Sequence, residues 1–175
     1  GKYYRHTLMT PIFNAGPCEY GPPPIMLGAV GPRMTQVAGE VADGLIVHPF
    51  HTKAFLDEAQ LPIIETALET SGRQRDDFIM SVSAMVVTGN NEQEYEAAKT
   101  SLKGLLGFYG STPAYIPPMK AVGLDHLQPE LNKMSKEGAW DKLGDIVDDN
   151  FLKAFAVCGE PHTIAQQLLD KYGDI

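Results

Sequence analysis

The chain has 175 residues, of which 43% are hydrophobic and 21% charged, a composition ordinary for one globular domain with a sizeable core. Its formal net charge of −8, from 14 basic and 22 acidic residues, argues against nucleic acid or an anionic membrane as the main partner. Because the two cysteines lack metal-ligand spacing and no signal-peptide pattern opens the chain, we expect a cytoplasmic protein.

Strands and helices alternate in the first 110 residues. Short apolar runs predict strands at 25–30, 44–47 and 78–87. A helix is expected after each strand, from apolar stripes at Met34, Val37, Ala38 and Val41; at Phe55, Leu56, Ala59, Ile63, Ala67 and Leu68; and at Tyr95, Ala98, Leu102, Leu105, Leu106 and Tyr109. We expect a kink at Pro62, and Asn91 with Glu94 has the spacing of a capping box. The alternation predicts a parallel α/β sheet with right-handed crossovers.

The pattern changes after residue 110. Residues 110–150 contain no convincing strand and predict short helices joined by Pro and Gly turns, as in a lid or binding loop. A last helix is predicted from Pro161 to the glycine at 173.

The stretch "GAVGPRMTQVAGEVADG", residues 28–44, predicts an anion site where the first strand ends and a helix begins. Gly31 permits a sharp turn and a close approach, and Pro32 fits the first helical position. We expect free N–H groups at Arg33, Met34 and Thr35, where the helix dipole also favours an anion such as phosphate. The alternative is a tight turn that binds nothing.

Several segments resemble one known family. "PPPIMLGAVGPRMTQVAGEVADGLIVHPF" is similar to the fifth strand, helix and sixth strand of bacterial luciferase-like proteins, in the branch that uses the 8-hydroxy-5-deazaflavin coenzyme F-420. "STPAYIPPMKAVG", "FAVCGEPHTIAQQLLDKYGDI" and the opening "GKYYRHTL" resemble other parts of that branch. The resemblance implies an incomplete (β/α)8 TIM barrel. Residues 1–175 would be its C-terminal part, with strands five to seven and a helical insertion at 110–150. The first four strands and the eighth would be absent.

The resemblance also implies a site. In deazaflavin-dependent relatives the backbone after the fifth strand contacts the coenzyme, and the matching positions here are Val30, Gly31, Pro32, Arg33 and Met34. Asp43 and Gly44 lie at the opposite end of the barrel and are interpreted as a structural turn.

Two histidines after the second strand are candidate substrate contacts. His48 and His51 follow the strand at the face where barrel enzymes do their chemistry. Sugar-phosphate-oxidising relatives have a hydroxyl and an ammonium there, so a sugar phosphate does not follow from the resemblance. Each histidine could instead be an ordinary loop residue. Tyr109 and Tyr115 could line a pocket, although packing explains them better.

The implied function is hydride transfer between coenzyme F-420 and a small organic substrate, with no metal. The catalytic acid or base would come from the strands that this chain lacks, so we expect no turnover from these residues alone. We also expect a homo-oligomer. Two alternatives stay open: an FMN-dependent monooxygenase of the same fold, and a non-catalytic cofactor-binding module.

Overall fold

A computed structural model describes residues 2–5, 7–8, 10–14 and 16–175 of the chain. Gly1 and His6 of the opening "GKYYRHTL" lie outside the described residues. The strands are β1 (Met26–Ala29), β2 (Gly44–Val47), β3 (Ile79–Val82), β4 (Met85–Val87) and β5 (Ala156–Cys158). The helices are α1 (Pro32–Val41), α2 (Lys53–Phe55), α3 (Leu61–Thr70), α4 (Glu92–Gly110), α5 (Ile116–Lys120), α6 (Gln128–Lys136), α7 (Asp149–Phe155) and α8 (Pro161–Tyr172).

The strands pair in parallel, as the alternation predicts. One sheet has the order β1-β2-β3, and β4 pairs in parallel with β5. The predicted continuous strand at 78–87 is wrong, because the chain leaves the first sheet after Val82 and resumes as β4. The prediction of only three strands is also wrong. Strand β5 was not predicted because it has only three residues, too few for its pattern to be recognised in the sequence.

Asp43 fixes the register of the first sheet. Its carboxylate accepts the Ile25 N–H at 2.7 Å, and its own N–H donates to the Ile25 carbonyl at 2.8 Å. Its carbonyl accepts the N–H of Ile79 at 3.0 Å. One residue thus joins the starts of all three strands, which confirms that Asp43 belongs to a structural turn.

The first sheet is covered on one face and open on the other. Leu45 and Val47 of β2 are buried with the helices, whereas Gly28, Ile46 and Ser81 form one exposed row across the three strands. Side chains alternate between the faces of a strand, so this row marks a face that no described residue covers. Ile46 is 43% exposed there.

Helix α1 presents a different face to the core from the one predicted. Of the predicted stripe only Ala38 is buried, together with Thr35 and Gly39. Met34, Val37 and Val41, the other three residues of that stripe, are exposed. Close contact between helices explains the difference. A Cβ on Gly39 would lie 2.6 Å from the Cβ of Ala67 on α3, so only small residues fit this side of α1.

The helix after β2 is continuous from residue 53 to 70 but contains a π-helical turn, Leu56–Gln60, between α2 and α3. A π turn includes an extra residue and shifts every later side chain around the axis. Gln60 and Ile64 are therefore buried in place of Ala59 and Ile63, which are half-buried. The irregularity predicted at Pro62 thus takes the form of a π turn in the residues before it.

A second core lies under residues 111–155. Residues 111–148 contain short helices and no strand, and their apolar side chains pack around Phe50, Phe151 and Phe155. The predicted cap of α4 is confirmed, because the Asn91 side chain accepts the N–H of Glu94 at 2.9 Å. Among the described helices none is both long and apolar enough to cross a membrane.

The open sheet face leads to a first prediction. The substitution Ile46→Ser should reduce the fluorescence of a bound hydrophobic dye and weaken self-association, because Ile46 is the apolar centre of that face. Stability should change by less than about 1 kcal/mol, since the side chain is already partly in water. Dye titration and light scattering measure both effects. Leu169→Ser removes an exposed aliphatic side chain elsewhere, on α8, and is the control. A wild-type chain that binds no dye and stays monomeric would contradict the prediction.

Candidate functional site

Two of the residues predicted from the sequence, Val30 and His48, meet at the carboxyl edge of β1 and β2. A depression of about 290 Å³ lies there, on the open side of the sheet. It is lined by Gly28, Ala29, Val30, Ile46, Val47, His48, Pro49 and Ser83. The lining is mainly apolar with a few polar groups, as in small-molecule sites. Val30, from the predicted coenzyme segment, and His48, from the predicted substrate segment, therefore share one cavity.

Helix α1 begins beside this depression. Gly31 precedes the helix with extended backbone (φ −80°, ψ 155°), and Pro32 occupies its first turn. The expectation of a free N–H at Thr35 is wrong, because that group donates to the Gly31 carbonyl at 3.1 Å as the first bond of the helix. The N–H groups of Arg33 and Met34 have no intrahelical acceptor at this position. Within the part of the chain that the structure describes, the exposed Arg33 side chain forms no ion pair or hydrogen bond.

Gly31 is not required by the local backbone. Its φ is negative, and a Cβ added to it would meet no atom within 4 Å. The space above the helix start is therefore open to a group that approaches the main chain closely.

His48 is held in one tautomer by its neighbours. Its Nδ1 accepts the N–H of Phe50 at 3.1 Å, so the neutral ring carries its proton on Nε2. Nε2 lies 3.1 Å from the hydroxyl oxygen of Tyr115 and donates to it. The two rings stack at 4.7 Å between centroids, and Tyr109 lies edge-on to His48 at 5.0 Å. Because Tyr115 accepts this bond, its own O–H is available as a donor.

Burial lowers the pKa of His48 below its ordinary value. The ring is consequently neutral near pH 7, in agreement with the tautomer that its hydrogen bonds require. A neutral imidazole in an apolar depression can orient a neighbouring hydroxyl without adding a charge.

His51 lies behind the site and is only 1% exposed. Its Nδ1–H donates to the His48 carbonyl at 2.8 Å, and its ring meets Tyr172 edge-on at 5.6 Å. Its Nε2 is buried without a hydrogen-bond partner among the described residues. The structure thus brings His48 to the depression and places His51 in the packing beneath it. The substrate contacts themselves stay predictions.

Burial also lowers the pKa of His51, an effect that its hydrogen bond to His48 partly opposes and the nearby charge of Lys171 reinforces. Burial raises the pKa of Tyr172 to about 12, so the neighbouring phenol stays neutral at any ordinary pH.

Two polar residues near this edge were not assigned a role from the sequence. Ser83 lines the depression because the chain turns out of the first sheet there. Gln60 was missed because a polar residue in a helix is expected to face solvent, and its hydrogen-bond partners lie in β1 and α1. Tyr115 was considered as a pocket residue, but its bond to His48 joins segments 67 residues apart and has no local sequence signal.

Comparisons with known proteins agree on one family. The family described as "Luciferase-like monooxygenase" matches residues 1–175. An uncharacterized protein of Mycobacterium tuberculosis is 42% identical over 98% of this chain and 50% of its own length. A 5,10-methylenetetrahydromethanopterin reductase of Archaeoglobus fulgidus is 26% identical over 83% of this chain and 43% of its own length.

A solved structure has a similar fold. The coenzyme F-420-dependent tetrahydromethanopterin reductase of Methanopyrus kandleri matches with a TM-score of 0.67 and 24% identity. The match covers 85% of this chain and 42% of the reductase. The chain thus spans about half the length of the curated relatives that it matches.

The buried histidines predict a pH dependence of stability. The pKa of His51 is lowered in the folded chain, so below its ordinary value of 6.5 the unfolded chain binds a proton that the folded chain does not. The free energy of unfolding should therefore fall as pH decreases from 7 to 5.5. His51→Asn keeps a donor for the His48 carbonyl but cannot titrate, and should make this dependence shallower. Chemical denaturation at each pH measures the effect. His162→Asn, at an exposed histidine, is the control, and equal slopes in all three chains would contradict the prediction.

Proposed function

The chain belongs to the luciferase-like monooxygenase family, and on that premise we propose that it forms the coenzyme-binding side of an oxidoreductase. The proposed reaction is transfer of a hydride between coenzyme F-420 and a small organic molecule. The observation that carries the proposal is the free start of α1 beside an apolar depression at the carboxyl edge of the sheet. Parallel α/β proteins bind their ligands at this edge.

The rest of the proposed site would come from further strands. The open row of Gly28, Ile46 and Ser81 has the orientation of the interior of a barrel, with helices only on the opposite face. A (β/α)8 barrel completed by about as much chain again as is present, the length that the relatives have in addition, would cover this row, and so would assembly with another copy. We propose the barrel, of which residues 1–175 are the C-terminal part, and a homo-oligomer of that barrel.

The coenzyme would bind through main-chain groups. The N–H groups of Arg33 and Met34 would face an anion at the positive end of a ten-residue helix, and Arg33 would add a charge that no described residue pairs with. The open space at Gly31 suits a phosphate that comes close to the backbone. Val30 and Pro32 complete the contact surface. Bound coenzyme F-420 would supply the ring that accepts or gives the hydride.

The substrate would lie over the depression beside His48. The tautomer of His48 leaves the Tyr115 O–H free to donate a hydrogen bond to an oxygen or nitrogen atom of the substrate. The apolar lining would exclude water from the reacting atoms. The Tyr115 hydroxyl and the apolar lining together would hold the substrate in one orientation relative to the coenzyme.

Two other functions use the same geometry. An FMN-dependent monooxygenase would place the FMN phosphate at the start of α1, and a non-catalytic module would bind the coenzyme without turnover. Titration with coenzyme F-420 and with FMN distinguishes the proposal from the first alternative, since the proposal requires that coenzyme F-420 bind more tightly than FMN. A chain of the relatives' length that binds coenzyme F-420 but reduces no substrate would favour the second.

The main prediction concerns the start of α1. Gly31→Val should weaken coenzyme binding strongly, because a β-branched side chain would fill the space that the phosphate enters. The fold should tolerate it, since φ is negative and no atom lies near the added Cβ. Arg33→Ala should lose about 1–2 kcal/mol of binding free energy, as for one charge-assisted hydrogen bond. Fluorescence titration of coenzyme F-420 measures both effects.

Lys136→Ala removes an exposed positive charge from the end of α6 and is the control for Arg33→Ala. Thermal unfolding of Gly31→Val checks that the variant folds. If folded Gly31→Val binds the coenzyme as tightly as the wild type, the turn holds no phosphate and the alternative of a simple tight turn is correct.

A further inference from the structure

We propose that Gln60 is a positioning residue for the coenzyme-binding turn, acting from behind the sheet edge. The inference rests on the proposed function, because it concerns how the same turn is held. Gln60 does not reach the depression; it contacts the backbone that forms the site. Nothing in its own segment of the sequence connects it with the start of α1.

The contacts of Gln60 reach both ends of the turn. Its amide Nε2 lies 3.2 Å from the carbonyl oxygen of Ala29, the last residue of β1. The same nitrogen lies 3.4 Å from the hydroxyl oxygen of Thr35. The Thr35 hydroxyl in turn donates to the Gly31 carbonyl at 3.0 Å. Two carbonyls that flank Val30 are therefore held by one connected set of donors.

These bonds lie in a dry environment. Gln60 is 2% exposed and Thr35 is fully buried. Water cannot replace the amide there, so its loss would leave the Ala29 carbonyl and the Thr35 hydroxyl with a missing donor. The hydrogen bonds are consequently stronger constraints on the turn than the same bonds would be at the surface.

The direction of the turn sets the direction of the free N–H groups. The Gly31 carbonyl accepts both the N–H and the hydroxyl of Thr35, so its orientation is fixed relative to the first turn of α1. The N–H groups of Arg33 and Met34 belong to that turn of helix. A rotation of the peptide after Val30 would change where they point, and Gln60 opposes this rotation through Ala29 and Thr35.

The helix geometry places Gln60 on the buried face. Residues four apart share one side of a helix, so Gln60 follows Leu56 toward the sheet, and the π turn between them rotates the later residues so that Ile64 lies there too. An apolar residue would fill such a position without needing a partner, so the glutamine indicates a specific polar task. π turns are frequently found at functional sites.

The test compares two ligands that differ in the phosphate-bearing tail. The first is coenzyme F-420, and the second is its deazaflavin riboside without phosphate. Gln60→Met keeps the length of the side chain but removes the amide donor. We expect it to weaken binding of the coenzyme by about tenfold and to leave binding of the riboside unchanged. Fluorescence titration measures both affinities in the same preparation.

Thr35 provides the conservative rescue. Thr35→Ser keeps the hydroxyl that joins Gln60 to Gly31 and should bind the coenzyme like the wild type. Thr35→Val keeps the shape but removes the hydroxyl, and should weaken coenzyme binding as Gln60→Met does. The double variant should be little worse than either single one, because both substitutions break the same connection.

Ile64→Val separates positioning from stability. It removes one buried methyl group from the next turn of the same face and leaves every hydrogen bond between Gln60, Thr35 and the turn in place. The inference is overturned if Gln60→Met binds the coenzyme as the wild type does, if its affinities for the coenzyme and the riboside fall equally, or if Ile64→Val shows the same loss of affinity.

A wild type that binds no coenzyme but shows phosphate-induced NMR shifts at the Arg33 and Met34 amides would overturn the choice of coenzyme. Phosphate titration of Gln60→Met would then test the positioning role in the same way.

Discussion

The site depends on the register of three short parallel strands. Asp43 joins the starts of those strands through one carboxylate and two main-chain bonds. Because each strand has only four residues, the register set at their starts also determines which residues are paired at their carboxyl ends. It aligns Ala29 with Val47, and so brings Val30 and His48 into one depression. A slip by one residue would exchange the two faces of the sheet and remove the site.

The helices hold that edge from outside. Gly39 and Ala67 let α1 approach α3 closely, and this approach brings the π turn next to the end of β1. A buried polar connection then runs from Gln60 to the turn before α1. The same segment therefore supplies apolar burial at Leu56 and Ile64 and polar restraint between them.

The sequence predicts the order of elements well, since apolar runs and helical spacing report burial directly. The strand at 44–47 is found with its observed bounds, and the parallel order of the first three strands is confirmed. The faces of the helices are harder to predict. Met34 and Val41 are apolar yet exposed, because the close contact at Gly39 selects small residues instead.

The site can be predicted only in part from the sequence, because packing between distant elements determines which side chains become partners. The positions of Gly31 and His48 follow from the ends of strands, which local patterns mark. The partners of those residues, Thr35 for the Gly31 carbonyl and Tyr115 for the His48 ring, come from packing between elements. The capped start of α4 is a purely local feature, and the sequence predicts its Asn91 cap, although the Glu94 carboxylate accepts the N–H of Asn90 and not that of Asn91.

The bond between His48 and Tyr115 has a consequence for how such proteins can diversify. Tyr115 lies in the helical segment between α4 and β5, whereas His48 belongs to the sheet edge. The segment packs around Phe151 in a core that includes β4 and β5 but no buried residue of β1, β2 or β3, so substitutions within it need not disturb the first sheet. Evolution can therefore exchange the group that we propose to face a substrate by altering this one segment, while the proposed anion-binding start of α1 is inherited unchanged.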